Sequence, residues 1–139
     1  MKRTFFALLM CLVAGLNVMA QDADKLLGNY YIDYDGKQSK VKFFKYENGY
    51  RGQVFWSSDG NEKKDVKNPD KAKRNTPLSE MVIIDKVVYA GEGVWKDGHI
   101  YDPNTGKFFQ TEIRFKDEKT LEVRGKVGPF FKRIYWNKL

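Results

Sequence analysis

The chain has 139 residues, a formal charge of +7, one cysteine and one histidine. That composition excludes a disulfide framework, a cysteine-based redox couple and the usual His/Cys zinc sites. The charge reads either as solubility, with acids interspersed among the bases, or as attraction to an anionic surface, and the absence of one basic stripe argues against nucleic acid as a partner.

Residues 1–20 read as a signal peptide. Lys2 and Arg3 form a basic lead, residues 4–18 are almost wholly apolar, and Val18-Met19-Ala20 ends in the small-residue pattern of a cleavage site. The run is short for a retained membrane span. Cys11 follows Leu9 and Met10 and so lacks a lipobox; as it lies in the leader, the mature chain has no thiolate. Cleavage leaves residues 21–139, one domain with a charge of about +5 that buries roughly two-thirds of its unfolded surface. The expected location is exported, periplasmic or secreted, with no transmembrane segment after cleavage.

After a short polar lead the chain alternates. Gly28, Tyr30, Ile32 and Tyr34 share one face of a first strand over 28–35, and Asp35-Gly36 is a hairpin signal. A second strand is predicted at 40–46 and, past Asn48-Gly49, a third at 50–57 with Tyr50, Gly52, Val54 and Trp56 on one face. Residues 58–77 break the period. They are rich in Lys, Asp and Asn, and read as one long loop, a candidate lid, with a helical turn near 69–73. Strands are then predicted at 80–85 and 86–95, the second carrying Gly91 and Gly93 beside Tyr89 and Trp95, followed by a turn at 96–98 and a short segment at 99–102. Asp102-Pro103-Asn104-Thr105-Gly106 has the residue types of a tight turn. The last strands are 107–115, 120–127 and 130–136, joined by a charged turn and by Gly128-Pro129. Eight or nine strands on short turns, with no amphipathic helix, predict an all-β, antiparallel up-and-down barrel of about eight strands, able to enclose a filled core or one small ligand.

Several segments in order resemble a family of small exported bacterial proteins catalogued as domain of unknown function 2147. They are Gly28-Asn29-Tyr30, Asp65 through Asn68-Pro69-Asp70, Arg74, Pro77-Leu78, Trp95, Gly98-His99-Ile100-Tyr101-Asp102-Pro103, Gly106-Lys107, Leu121-Glu122-Val123-Arg124-Gly125 and Trp136. Tyr30, Ser79-Glu80 and Lys138 depart from the pattern. The resemblance implies a lipocalin-like, calycin-type barrel in the cell envelope and no activity.

His99 lies near Asp97 and Asp102, but Ser39, Ser57, Ser58 and Ser79 sit in no nucleophile context, so it reads as a surface histidine and no catalytic residue is assigned. The Asp-rich turns do not continue into a calcium loop, and no metal or cofactor is expected. The aromatic surplus is the informative feature. It reads either as a filled core or as a cavity lined by Tyr50, Trp56, Tyr89, Trp95 and Phe109, with Gly52, Gly91, Gly93 and Gly125 leaving room and Arg74 or Arg124 meeting an acidic head group at the rim. The expected function is therefore non-enzymatic binding of a small hydrophobic or amphipathic, lipid-like ligand. The alternative is a protein-interaction or structural module of the envelope with a filled barrel, and peripheral membrane contact is a further expectation.

Overall fold

The computed structural model describes residues 20–139, so the signal-peptide reading lies almost wholly outside the described residues. Eight antiparallel strands run in chain order round a closed barrel. They are β1 (Gly28–Tyr34), β2 (Lys37–Tyr46), β3 (Gly49–Ser57), β4 (Val82–Tyr89), β5 (Val94–Asp102), β6 (Lys107–Asp117), β7 (Thr120–Val127) and β8 (Phe130–Lys138). Closure is made by the shortest ladder, Tyr30 opposite Lys138 and Tyr31 opposite Asn137. Each sequential pair except β3–β4 is joined by a short turn, so most ladders form between local neighbours, and joining β8 to β1 removes the exposed edges an open sheet would have.

The alternation places Val41 and Phe43 of β2, Ile113 of β6, Leu121 and Val123 of β7 and Trp136 of β8 inside, each at most 1 % exposed. Phe43 meets the Tyr30 ring edge-on at 5.4 Å, and Trp95 meets Phe115 at 5.9 Å, geometries in which aromatic quadrupoles attract. Lys42, Arg51, Glu112 and Arg124 alternate with these to the outside. Apolar inside and charged outside is the reverse of a membrane-spanning barrel.

Two bulges relocate the middle strands relative to the sequence reading. Lys86 (φ 57°) and Asp97 (φ 66°) each take a left-handed conformation, and the ladder slips beside each of them. The predicted break at 85/86 and the predicted turn at 96–98 are therefore irregularities inside β4 and β5. The reversal falls instead at residues 90–93, where Gly91 and Gly93 (φ 85° and 74°) flank Glu92 (φ 54°). Those two glycines serve a turn, with open space around both, and leave no room in the barrel interior.

Because strand direction alternates, the connections fall at two ends. The closed end carries the β2–β3, β4–β5 and β6–β7 turns and the segment that enters β1. The loop end carries the β1–β2, β5–β6 and β7–β8 turns and the long β3–β4 connection. That connection contains two 3-10 turns, Leu78–Glu80 and Lys71–Lys73, the latter capped by Asp70 Oδ1 accepting from the Ala72 amide at 3.0 Å. It is not a lid. Asp65, 2 % exposed, accepts the Tyr101 hydroxyl at 2.6 Å and the Asn68 side-chain amide at 2.8 Å. Tyr101 alternates with inward Ile100, so this latch lies on the outer wall of β5. Lys67 Nζ extends it to the Asn104 carbonyl at 2.7 Å, and a Cβ on Gly106 would lie 2.1 Å from the Lys67 carbonyl oxygen. The β5–β6 turn needs a glycine there.

Candidate functional site at the loop end

The two halves of the interior differ. At the closed end the entering segment forms a plug, a 3-10 turn at Asp24–Leu26 whose Leu26 is fully buried. Inward aromatics direct their polar tips at it. The Tyr30 hydroxyl donates to the Leu26 carbonyl at 2.9 Å, the Trp95 indole to the Ala23 carbonyl at 3.0 Å, and the Tyr50 hydroxyl to Asp24 Oδ1 at 2.6 Å. Lys45 pairs with the other Asp24 oxygen at 3.0 Å. The Tyr50 hydrogen bond and then Lys45 hold the Asp24 carboxyl below its ordinary value, while burial first, and then Asp24, pushes the Tyr50 phenol up. Burial alone raises Tyr30.

This plug uses residues the sequence reading assigned to a ligand wall. Tyr50 and Trp95 are core residues, 6 % and 1 % exposed, bonded to the plug. Tyr89 stacks on Trp95 at 5.0 Å and its hydroxyl accepts from the Gly93 amide at 3.0 Å, which ties it to the β4–β5 turn. Gly52 leaves no space either, since a Cβ there would stand 3.1 Å from Phe43 and 3.2 Å from Ile84. The closed half is filled.

Toward the loop end the inward faces lose their cover. Ile32 of β1 is still buried, but Ser39, Ser57, Ile100, Phe109, Gly125 and Ile134 are half-buried, and Val127 and Lys132 are exposed. Register places them together on the inner face. Ile32 lies opposite Ser39, Ser39 opposite Ser57, Ile100 opposite Phe109, and Gly125 opposite Lys132. Phe109 and Ile100 border Gly125, whose added Cβ would meet Ile100 Cγ2 at 3.5 Å and Phe109 Cβ at 4.0 Å, an ordinary contact. The result is a shallow apolar cup open to solvent. At its edge Lys132 Nζ donates to the Tyr34 hydroxyl and lies 4.7 Å from the ring centroid, across the seam where the β1–β8 ladder has ended. The Tyr34 bond raises the Lys132 pKa, so the edge is cationic at neutral pH. Asp102 nearby is engaged by its own turn, accepting from the Asn104 amide and the Thr105 hydroxyl at 2.9 and 3.0 Å.

Of the predicted wall, Phe109 alone belongs to this cup. Trp56 is on the outside. The ladder slips between Lys40 and Val41, so Phe55 is an extra residue and Trp56 falls opposite outward Lys40, whose Nζ lies 5.0 Å from its ring centroid. Arg124 is also on the outer wall, bonded to Glu122 at 3.1 Å, with Arg114 and Arg133 at 3.7 and 3.6 Å from the same carboxylate. Arg74 bonds the Asn68 carbonyl at 2.7 Å inside the β3–β4 connection rather than a carboxylate. His99 is exposed on the outer face of β5. Among the described residues no group of three or more His, Cys, Asp and Glu side chains converges on one point. The sequence reading missed Ile100, Ile134 and Lys132. The alternation Phe130, Lys132, Ile134, Trp136 carried the signal for two of them, while the misplaced turn at 96–98 hid Ile100.

The model of the bacterial family described as "Uncharacterized protein conserved in bacteria (DUF2147)" matches residues 28–138. A solved structure from the human pathogen Helicobacter pylori, described as belonging to the lipocalin family, is 26 % identical with a TM-score of 0.72 over 82 % of each chain. No curated protein matches the chain.

Proposed function

We propose that this chain, which belongs to the DUF2147 family, is an exported, non-enzymatic binding protein that holds a small amphipathic ligand at the loop end of its barrel. The apolar part of the ligand lies against Ile100, Phe109 and Ile134 over Gly125, and an anionic head group meets Lys132. One observation carries the reading: Ile100, Phe109 and Ile134 face into the barrel yet stay only partly buried, next to exposed Val127 and Lys132, whereas the closed end is capped by the fully buried Leu26 on Trp95 and Tyr30. An inward apolar surface left in water loses about 25 cal/mol per Å² relative to being covered, and a hydrocarbon tail can cover it. The likeness to a lipocalin-family barrel supports a small ligand; the head-group chemistry rests on Lys132 alone.

Dodecanoate and dodecanol are the test ligands. Dodecanoate binds the wild-type protein, Gly125→Leu fills the cup and abolishes binding of both, and Lys132→Ala weakens dodecanoate by about tenfold more than dodecanol. Undiminished binding in Gly125→Leu would remove the site from the cup. No binding of either ligand by wild type would leave the barrel as a structural or protein-interaction module.

A further inference from the structure

Large apolar side chains left exposed gather at one end of the molecule. Among the described residues there are eleven, and eight stand in or within three residues of a loop-end connection. Tyr34 ends β1, Phe55 and Trp56 precede the last residue of β3, Val66 lies in the β3–β4 connection and Phe108 is second in β6, at 40 %, 49 %, 41 %, 67 % and 52 % exposed. The other three form the tip of the β7–β8 hairpin. Val127, Phe130 and Phe131 flank Gly128-Pro129 at 47 %, 75 % and 52 % exposed. A Cβ at Gly128 in the turn would meet nothing within 4 Å, and Phe130 is more exposed than any other large apolar side chain in the described residues.

Charge gathers at the same end. Residues 33–40, 58–81, 102–107 and 126–132, which make up the loop-end rim, hold eleven Lys and Arg against eight Asp and Glu, or +3 of the +5 carried by residues 20–139. Some of the acids are already engaged: Asp59 lies 3.8 Å from Lys37 and 3.4 Å from Lys63, and Asp65 is buried under Tyr101. Aromatic rings among lysines are what the boundary between lipid head groups and acyl chains accommodates, rings entering the boundary and ammonium groups meeting phosphates. A protein partner with an acidic, apolar face would meet the charge as well. The spread of the rings over four strands and a projecting hairpin round an open mouth fits a deformable planar surface better than one rigid counterpart.

We infer that the loop end is a membrane-docking rim, with the Val127–Phe131 hairpin tip entering an anionic bilayer and the rim lysines on its head groups. Docking in this pose sets the mouth of the barrel against the lipid surface. The inference does not depend on the cup being a binding site.

The protein carries its own reporter. Trp95 and Trp136 are 1 % exposed and Trp56 is 41 % exposed at the rim, so a change in tryptophan emission on docking comes from Trp56. The experiment is co-sedimentation and fluorescence of the chain from residue 21 with vesicles of phosphatidylethanolamine and phosphatidylglycerol, and with vesicles of phosphatidylcholine alone. The expected result is binding to the anionic vesicles, quenching by brominated acyl chains, and about a tenfold or greater loss of partitioning in the Phe130→Ser/Phe131→Ser double variant. Tyr135→Ser, on the wall, leaves partitioning unchanged, and thermal unfolding of each variant verifies that the barrel is intact. The inference is overturned by no binding, by binding without quenching, by binding that salt abolishes and the double variant does not affect, or by a dimer without vesicles that the double variant dissolves.

Discussion

Two inward glycines on opposite halves of the barrel should respond to the same substitution with opposite sign. A Cβ at Gly52 would stand 3.1 Å from Phe43 Cε1 and 3.2 Å from Ile84 Cβ, both fully packed, so Gly52→Val must displace core atoms. Overpacking of this kind costs about 1–3 kcal/mol. A Cβ at Gly125 would meet Ile100 at an ordinary 3.5 Å, and its φ lies outside the left-handed region. Gly125→Val there removes a strand glycine, worth about 0.5–1 kcal/mol, and half-buries an isopropyl group, worth about 1 kcal/mol more. Differential scanning calorimetry should show Gly125→Val melting about 5–10 °C above wild type and Gly52→Val below it. Equal destabilisation by the two, or a larger loss at Gly125, would mean that the loop-end half is as full as the closed half, and the cup would not exist.

Other substitutions probe the parts that shape the barrel. Leu26→Ala empties the centre of the closed-end plug and should cost about 2–5 kcal/mol, read as a lower urea midpoint. The Asp24 carboxyl, depressed by Tyr50 and Lys45, contributes stability that is present above its unfolded value near 3.8 and lost as pH falls below it, so Asp24→Asn should flatten the acid limb of melting temperature against pH. Tyr101→Phe removes one donor from buried Asp65 and should cost about 1–3 kcal/mol, with limited proteolysis accelerated inside residues 58–77 and dodecanoate affinity unchanged. Glu122→Gln leaves Arg114, Arg124 and Arg133 without the carboxylate between them; a loss of about 1–2 kcal/mol, partly restored by added salt, is expected in denaturant titrations.

The barrel was legible because its causes are local. Alternation through Tyr30, Ile32 or through Leu121, Val123, and turn chemistry at Asp35-Gly36, Asn48-Gly49 and Gly128-Pro129, act between neighbours in the chain. The site was less legible because bulges shift the phase of alternation and leave no mark on composition. Phe55 turned Trp56 to the outside, and Lys86 and Asp97 took left-handed conformations that the sequence reading assigned to strand ends and turns. The plug was hidden for another reason. Leu26-Leu27 is too short to show a period, and the segment is held by Tyr50 and Trp95, which reach Asp24 and Ala23 from 26 and 72 residues away in the chain. Aromatic content alone marked a wall without saying which end of it was closed.

The account turns on an interior that is sealed at one end and takes ligand at the other, and isoleucine methyl groups sample both. Ile113, opposite Trp95, is fully buried in the closed half, while Ile100 and Ile134 face the cup. Methyl NMR of protein labelled at isoleucine, titrated with dodecanoate, should move the Ile100 and Ile134 resonances in a saturable way and leave Ile113 in place. Saturable shifts at Ile113 as large as those at Ile100, or none at Ile100 and Ile134, would contradict it.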